Sequence, residues 1–198
     1  MSKELYFSVD IEADGRIPGK SSMLSFGSAA FTIDKELVGT FSANLELLDG
    51  AKPDPETMGW WRKNQRAYDA TREHVIAPKE SMATFAEHIA RLSKEHGKAA
   101  FMGYPAAFDY GWVNWYFHTF IGRNPFGISA LCLKSFAMAL LKSDYRATTK
   151  RRFPGRWFDK LPHTHIALDD AIEQGAMGIN MLRDSRGLLA VKGIVKPR

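Results

Sequence analysis

In residues 5–12, LYFSVDIE, the apolar residues Leu5, Phe7, Val9 and Ile11 alternate with Tyr6, Ser8, Asp10 and Glu12. Alternation with period two marks a β-strand, because successive side chains leave a pleated backbone on opposite faces. The same period puts Asp10 and Glu12 together on one face at the strand's end. An isolated acidic pair there is usually just solvated, so it acquires meaning only if other carboxylates join it.

Residues 22–34 and 36–47 read as two more strands, forming a hairpin that turns near Asp34–Lys35. Residues 52–71 carry prolines and then a helix-like segment. Residues 78–97 are an amphipathic helix, with Met82, Phe85, Ala86, Ile89 and Leu92 in one stripe and Gly97 as the stop. The short apolar run 98–104, followed by Pro105, suits a buried strand. Residues 106–120, 129–142 and 165–184 read as helices. Three strands, two helices, a strand and three helices predict an α/β domain with a mixed sheet and an antiparallel meander of strands 1 to 3. At 198 residues, one domain over 1–198 is the simplest organisation.

Composition excludes several alternatives. No apolar run approaches the roughly 20 residues needed to span a bilayer. The start, MSKELYF, lacks a signal-peptide pattern, so a cytoplasmic location without membrane attachment is expected. Cys132 is alone, which rules out an intrachain disulfide and a cysteine zinc site. The net charge of +5 leans towards a polyanionic partner. Much of that charge lies in 142–160, where Lys142, Arg146, Lys150, Arg151, Arg152, Arg156 and Lys160 face only Asp144 and Asp159. A solvated loop and a nucleic-acid contact explain this stretch equally well.

Further carboxylates stand at suggestive places. Asp109 lies in the first turn of its expected helix and shares a stripe with Trp112, Val113 and Tyr116. Dipole compensation near a helix start accounts for an aspartate there, yet an inward carboxylate needs a hydrogen-bonding partner or a cation. Asp169 and Asp170 open the last helix, where capping is again the simple explanation. His165 precedes or opens that helix. If the strand and the two helices bring these groups to one end of the sheet, their repulsion calls for divalent cations. Oxygen ligands without cysteine favour Mg²⁺ or Mn²⁺.

The segments DIEADG, GYPAAFDYGWV and HIALDDA resemble, in order and spacing, the three motifs of the DEDDh 3′→5′ exonucleases, which include ribonuclease T and oligoribonuclease. The resemblance spans residues 7–173. It implies a ribonuclease H-like fold with a five-stranded mixed sheet flanked by helices. It also implies hydrolysis with two divalent metal ions, releasing nucleoside 5′-monophosphates from single-stranded RNA or DNA 3′ ends. Asp10 and Glu12 match the first motif, Asp109 the second and Asp170 the last metal-ligand position. His165 matches the general base, taking a proton from the attacking water. Asp169 falls at a variable position, and His163 has the wrong spacing to Asp170.

The chain departs from the family pattern at Ala13, where threonine is common. The backbone N–H of Ala13 remains available to a terminal nucleotide, while a hydroxyl contact is lost. Asp14 is expected to add charge near the entrance. Trp60 and Trp61, in MGWWRKN, resemble a Trp-Trp segment in some relatives and offer rings for base stacking. Packing in the core or at a dimer interface is the competing explanation. Lys150, Arg151 and Arg152 are expected to contact upstream phosphates. A stand-alone exonuclease is the favoured reading, with a proofreading subunit bound to a polymerase as the alternative. A binding module with a degenerate site is disfavoured, because all five expected residues are present. By analogy with related enzymes, a homodimer is expected.

Overall fold

The computed structural model describes residues 3–188 and 193–195. Its sheet is built from β1 (Glu4–Ala13), β2 (Met23–Phe31), β3 (Leu37–Asn44), β4 (Lys98–Gly103) and β5 (Ala130–Cys132) in the order β3-β2-β1-β4-β5. The first three strands form the antiparallel meander, while β4 and β5 run parallel to β1. The helices are α1 (Pro55–Trp61), α2 (Gln65–Ala70), α3 (Pro78–His96), α4 (Ala106–Ile121), α5 (Leu133–Leu141) and α6 (Ala167–Ser185). Among them none is long and apolar enough to cross a membrane.

The alternation in β1 sorts the two layers. Leu5, Phe7, Val9 and Ile11 pack with Met82, Phe85, Ile89 and Leu92 of α3 and with Trp112, Val113 and Tyr116 of α4. Each such large apolar side chain, fully buried, contributes about 1.5–3 kcal/mol. On the other face Tyr6 joins Ala171, Met177 and Met181 of α6. A Cβ on Gly175 would sit 2.9 Å from that of Ser8, so only glycine lets α6 lie so close to β1.

One expectation is corrected. The span 129–142 was expected as a single helix, but Ala130–Cys132 pairs with Phe101–Gly103 as β5, and α5 starts at Leu133. Three residues are too few to show a period of their own, so pairing with β4 decides their conformation.

The basic stretch is no free loop either. Phe153 and Trp157 are buried, and Arg156 makes a bidentate pair with Asp184 of α6. Lys35, fully buried at the β2–β3 turn, pairs with Asp159. These contacts fasten the chain just ahead of His165.

Candidate active site

The pairing of β1 with β4 ends at Ser8 and Met102, whereas β1 continues to Ala13. Beyond that point one edge of β1 is open, and α4 closes it: the Ile11 N–H donates to Asp109 Oδ1 at 3.4 Å. Asp109 is only 5% exposed, so it faces inward. From the other layer α6 delivers Asp170. Its first turn comes down on β2 at Gly27, which stands opposite Asp10 in the sheet register. A Cβ on Gly27 would lie 2.3 Å from the Leu168 nitrogen. The helix start therefore rests beside Asp10 only because this residue is glycine.

One carboxylate oxygen from each of Asp10, Glu12 and Asp170 falls within 4.8 Å of the others. Burial, and then the charges of Asp109, Glu12 and Asp170, push the Asp10 pKa well up. Burial also raises Glu12 to about 8, with Asp170 and Asp109 adding to the shift. Asp109 rises to about 7, chiefly through burial. The opposing influence on Asp10 is Lys150, whose Nζ lies 2.6 Å from Glu173 of α6. Asp109 and Asp170 are buried and Asp10 and Glu12 half-buried; crowded, mutually repelling hard oxygen donors are the chemistry that a divalent cation satisfies, so this set fits the metal the family implies.

Asp170 also organises the loop before α6. It is 2% exposed and accepts from the backbone N–H of Thr164 at 2.8 Å and of His165 at 3.0 Å. His165 itself has φ 59°, a conformation that a non-glycine residue adopts only when its surroundings hold it there. Its ring meets Trp60 edge to face at 4.9 Å. Burial and the neighbouring His163 lower the His165 pKa, while Asp170 raises it; the net result is downward.

Several positions differ from expectation. His163, set aside for its spacing, reaches Asp170: its Nδ1 lies 3.1 Å from Oδ1, because the extended loop doubles back over the helix start. The tryptophan pair is split. Trp60 is 39% exposed, whereas Trp61 is 1% exposed and donates its Nε1–H to the Ala13 carbonyl, so it has no free face for a base. Asp14 is buried, not at an entrance, and accepts from the Ser22 N–H at 2.6 Å. Asp169 is exposed and accepts from the Thr164 hydroxyl. Arg151 and Arg152 are exposed beside Lys150.

Two features had no clear sequence signal. Phe108 joins Ile11, Glu12, Ala13, Arg16 and Trp60 around a cavity of about 430 Å³. Lys63 and Arg66 join Thr164, His165 and Asp169 in lining a separate groove.

A family model described as a 3′-5′ exoribonuclease Rv2179c-like domain matches residues 6–180. The chain belongs to this family. It is a 3′-5′ exonuclease, a phosphodiester hydrolase. The 3′-5′ DNA exonuclease Cap18 of Escherichia coli is 34% identical over 178 residues, covering 88% of this exonuclease and 90% of the relative. Among solved structures, the nuclease domain of 3′hExo, a DEDDh family member bound to rAMP, superposes with a TM-score of 0.64 at 12% identity, covering 97% of this chain and 98% of that one. E. coli exonuclease I in complex with a dT13 oligonucleotide gives 0.64 at 15% identity, covering 94% of this chain and 42% of that one. These solved neighbours share the ribonuclease H-like fold expected for the exonuclease.

Proposed function

We propose that this exonuclease removes nucleotides one at a time from single-stranded 3′ ends, RNA in the first place, releasing nucleoside 5′-monophosphates. Asp10, Glu12, Asp109 and Asp170 would hold two divalent cations, Mg²⁺ or Mn²⁺. Bound there, the cations would supply Lewis-acid stabilisation of charge developing on the scissile phosphate. The observation that carries this reading is the convergence of half-buried Asp10 and Glu12 from β1 with buried Asp170 from α6, with buried Asp109 of α4 against the same strand, beside a histidine with a lowered pKa.

The protein's own groups take the remaining roles. His165, whose pKa burial and the neighbouring His163 lower, accepts a proton from the attacking water as a neutral imidazole. Asp170 fixes the loop carrying that base through two backbone N–H donors. The cavity bounded by Ile11, Ala13, Trp60 and Phe108 takes the terminal nucleoside, with the exposed Trp60 and Phe108 rings available to the base. The exposed Arg151 and Arg152 contact phosphates upstream of the scissile bond, while Lys150, expected to join them, is held by Glu173.

A second reading, DNA as the substrate, is favoured by the E. coli relative, which is described as a DNA exonuclease. The deciding test is a panel of 3′- and 5′-labelled RNA and DNA oligonucleotides, single-stranded, duplex and with 3′ overhangs, in Mg²⁺ or Mn²⁺. Monophosphate release from single strands, stopped by EDTA, is the expected result. Internal cleavage, or release unaffected by EDTA, would refute the proposal.

A further inference from the structure

We propose that His163, His165 and Asp170 form an inhibitory site for a borderline transition-metal cation of the Zn²⁺ class, sharing only Asp170 with the all-oxygen set Asp10, Glu12, Asp109 and Asp170. One ligand atom from each of the three residues lies within 4.8 Å of the other two. The donor set is two imidazole nitrogens and one carboxylate oxygen. Zn²⁺ favours such a mixture, whereas Mg²⁺ prefers oxygen throughout.

The geometry is close to a chelate. With metal–ligand distances of about 2.0–2.1 Å, two donors on a tetrahedral ion stand about 3.4 Å apart. His163 Nδ1 and Asp170 Oδ1 are already 3.1 Å apart. The imidazole centroids of His163 and His165 are 4.7 Å apart, so small side-chain rotations bring the third donor in. One ligand is fixed and two can adapt. Asp170 is buried on α6 and held by the Thr164 and His165 N–H groups, while the His163 side chain is 54% exposed and both histidines lie outside regular structure.

Inhibition follows from what the ligands cease to do. An imidazole nitrogen bonded to a metal has no lone pair with which to take a proton. Asp170 would be shared between this ion and that all-oxygen set. The inhibitory consequence rests on the proposed base role of His165; binding of the ion does not.

The test uses the full chain in saturating Mg²⁺. Co²⁺ replaces Zn²⁺ as a spectroscopic probe, and intense visible d–d bands report four- or five-coordinate binding, against the weak absorption of six-coordinate Co²⁺ held by oxygens alone. The wild type should develop these bands, Zn²⁺ should abolish them by displacement, and Zn²⁺ should slow nucleotide release reversibly. His163→Gln should raise the Zn²⁺ dissociation constant and the half-inhibitory concentration at least about 10-fold, each rate being normalised to the same variant in Mg²⁺ alone. Wild-type Zn²⁺ binding by His163→Gln, or no Co²⁺ bands in the wild type, would overturn the site. Histidine-dependent Co²⁺ bands without slowed turnover would overturn its inhibitory role. Failure of the base reading shows separately, as full Mg²⁺-supported turnover by His165→Ala.

Discussion

The two halves of the candidate active site are built by different means. The floor, Asp10, Glu12, Asp109 and Asp170, hangs on a central strand and two long helices. Its geometry is set by packing of both layers against β1, and burial, with repulsion among its carboxylates, raises the pKa values of Asp10 and Glu12. The wall, Thr164 to Ile166, belongs to no regular element and is held by hydrogen bonds to a floor residue, Asp170. Rigid elements therefore carry the groups that stay together against repulsion, and a short tethered loop carries His165, the proposed proton acceptor. Disturbing the floor should damage chemistry and alter stability together, whereas disturbing the wall should damage chemistry alone.

The largest effect is expected at Asp109. Asp109→Asn removes a buried anion without changing side-chain shape. Metal-dependent charge stabilisation is worth several kcal/mol, so turnover should fall roughly 10³-fold or more. In metal-free buffer the variant should melt at a higher temperature, because repulsion in the floor is relieved. Unchanged activity would remove Asp109 from the site.

Next comes the wall. His165→Ala should lower turnover by roughly 10²–10⁴-fold, the usual scale for a positioned acid–base group. Calorimetry should show Mg²⁺ or Mn²⁺ affinity nearly unchanged. If that affinity collapsed, the separation of wall from floor would be wrong.

The tryptophans test the same division from outside the carboxylates. Trp61→Ala empties a core position and should cost about 3–5 kcal/mol of stability in chemical denaturation. Trp60→Ala should leave stability almost intact and weaken oligonucleotide binding by about 1–3 kcal/mol. Equal stability losses in both would show that Trp60 is structural.

The floor also predicts a pH dependence. Glu12 moves from 4.5 to about 8 and Asp109 from 3.8 to about 7 on folding without metal. Between those limits the folded chain binds more protons than the unfolded one, so stability falls as pH rises. The melting temperature in chelator should drop across that window. Saturating Mg²⁺ should flatten the curve, and an unaltered slope with Mg²⁺ would argue against cation binding at these groups.

The smallest effect concerns the basic flank. Each phosphate contact with a single strand contributes about 0.7 to the log–log salt slope. Lys150 is held by Glu173, whereas Arg151 and Arg152 make no ion pair among the described residues. Replacing both arginines with alanine should reduce the slope by about 1.4 on a long single strand, and adding Lys150→Ala should change it little further. Wild-type affinity and salt dependence in the double variant would make this a solvated flank.

Local periodicity determined a good deal of this protein. The alternation in residues 5–12 places Asp10 and Glu12 on one face in any strand. The 78–97 stripe supplies Met82, Phe85, Ile89 and Leu92 to the core, and motif order points to Asp109, His165 and Asp170. Such features depend on neighbours within a few residues, so they can be read along the chain. Tertiary structure alone decided the rest. Cys132 ends a strand because β4 offers an edge, and Trp61 is interior while Trp60 is not because the Ala13 carbonyl captures one indole. Asp14 turns inward to the Ser22 N–H, and His163 reaches Asp170 through a loop with no period. The meeting of Ile11 with Asp109 joins residues 98 positions apart. Contacts of that range depend on how the layers close over β1, which no local pattern of side chains specifies.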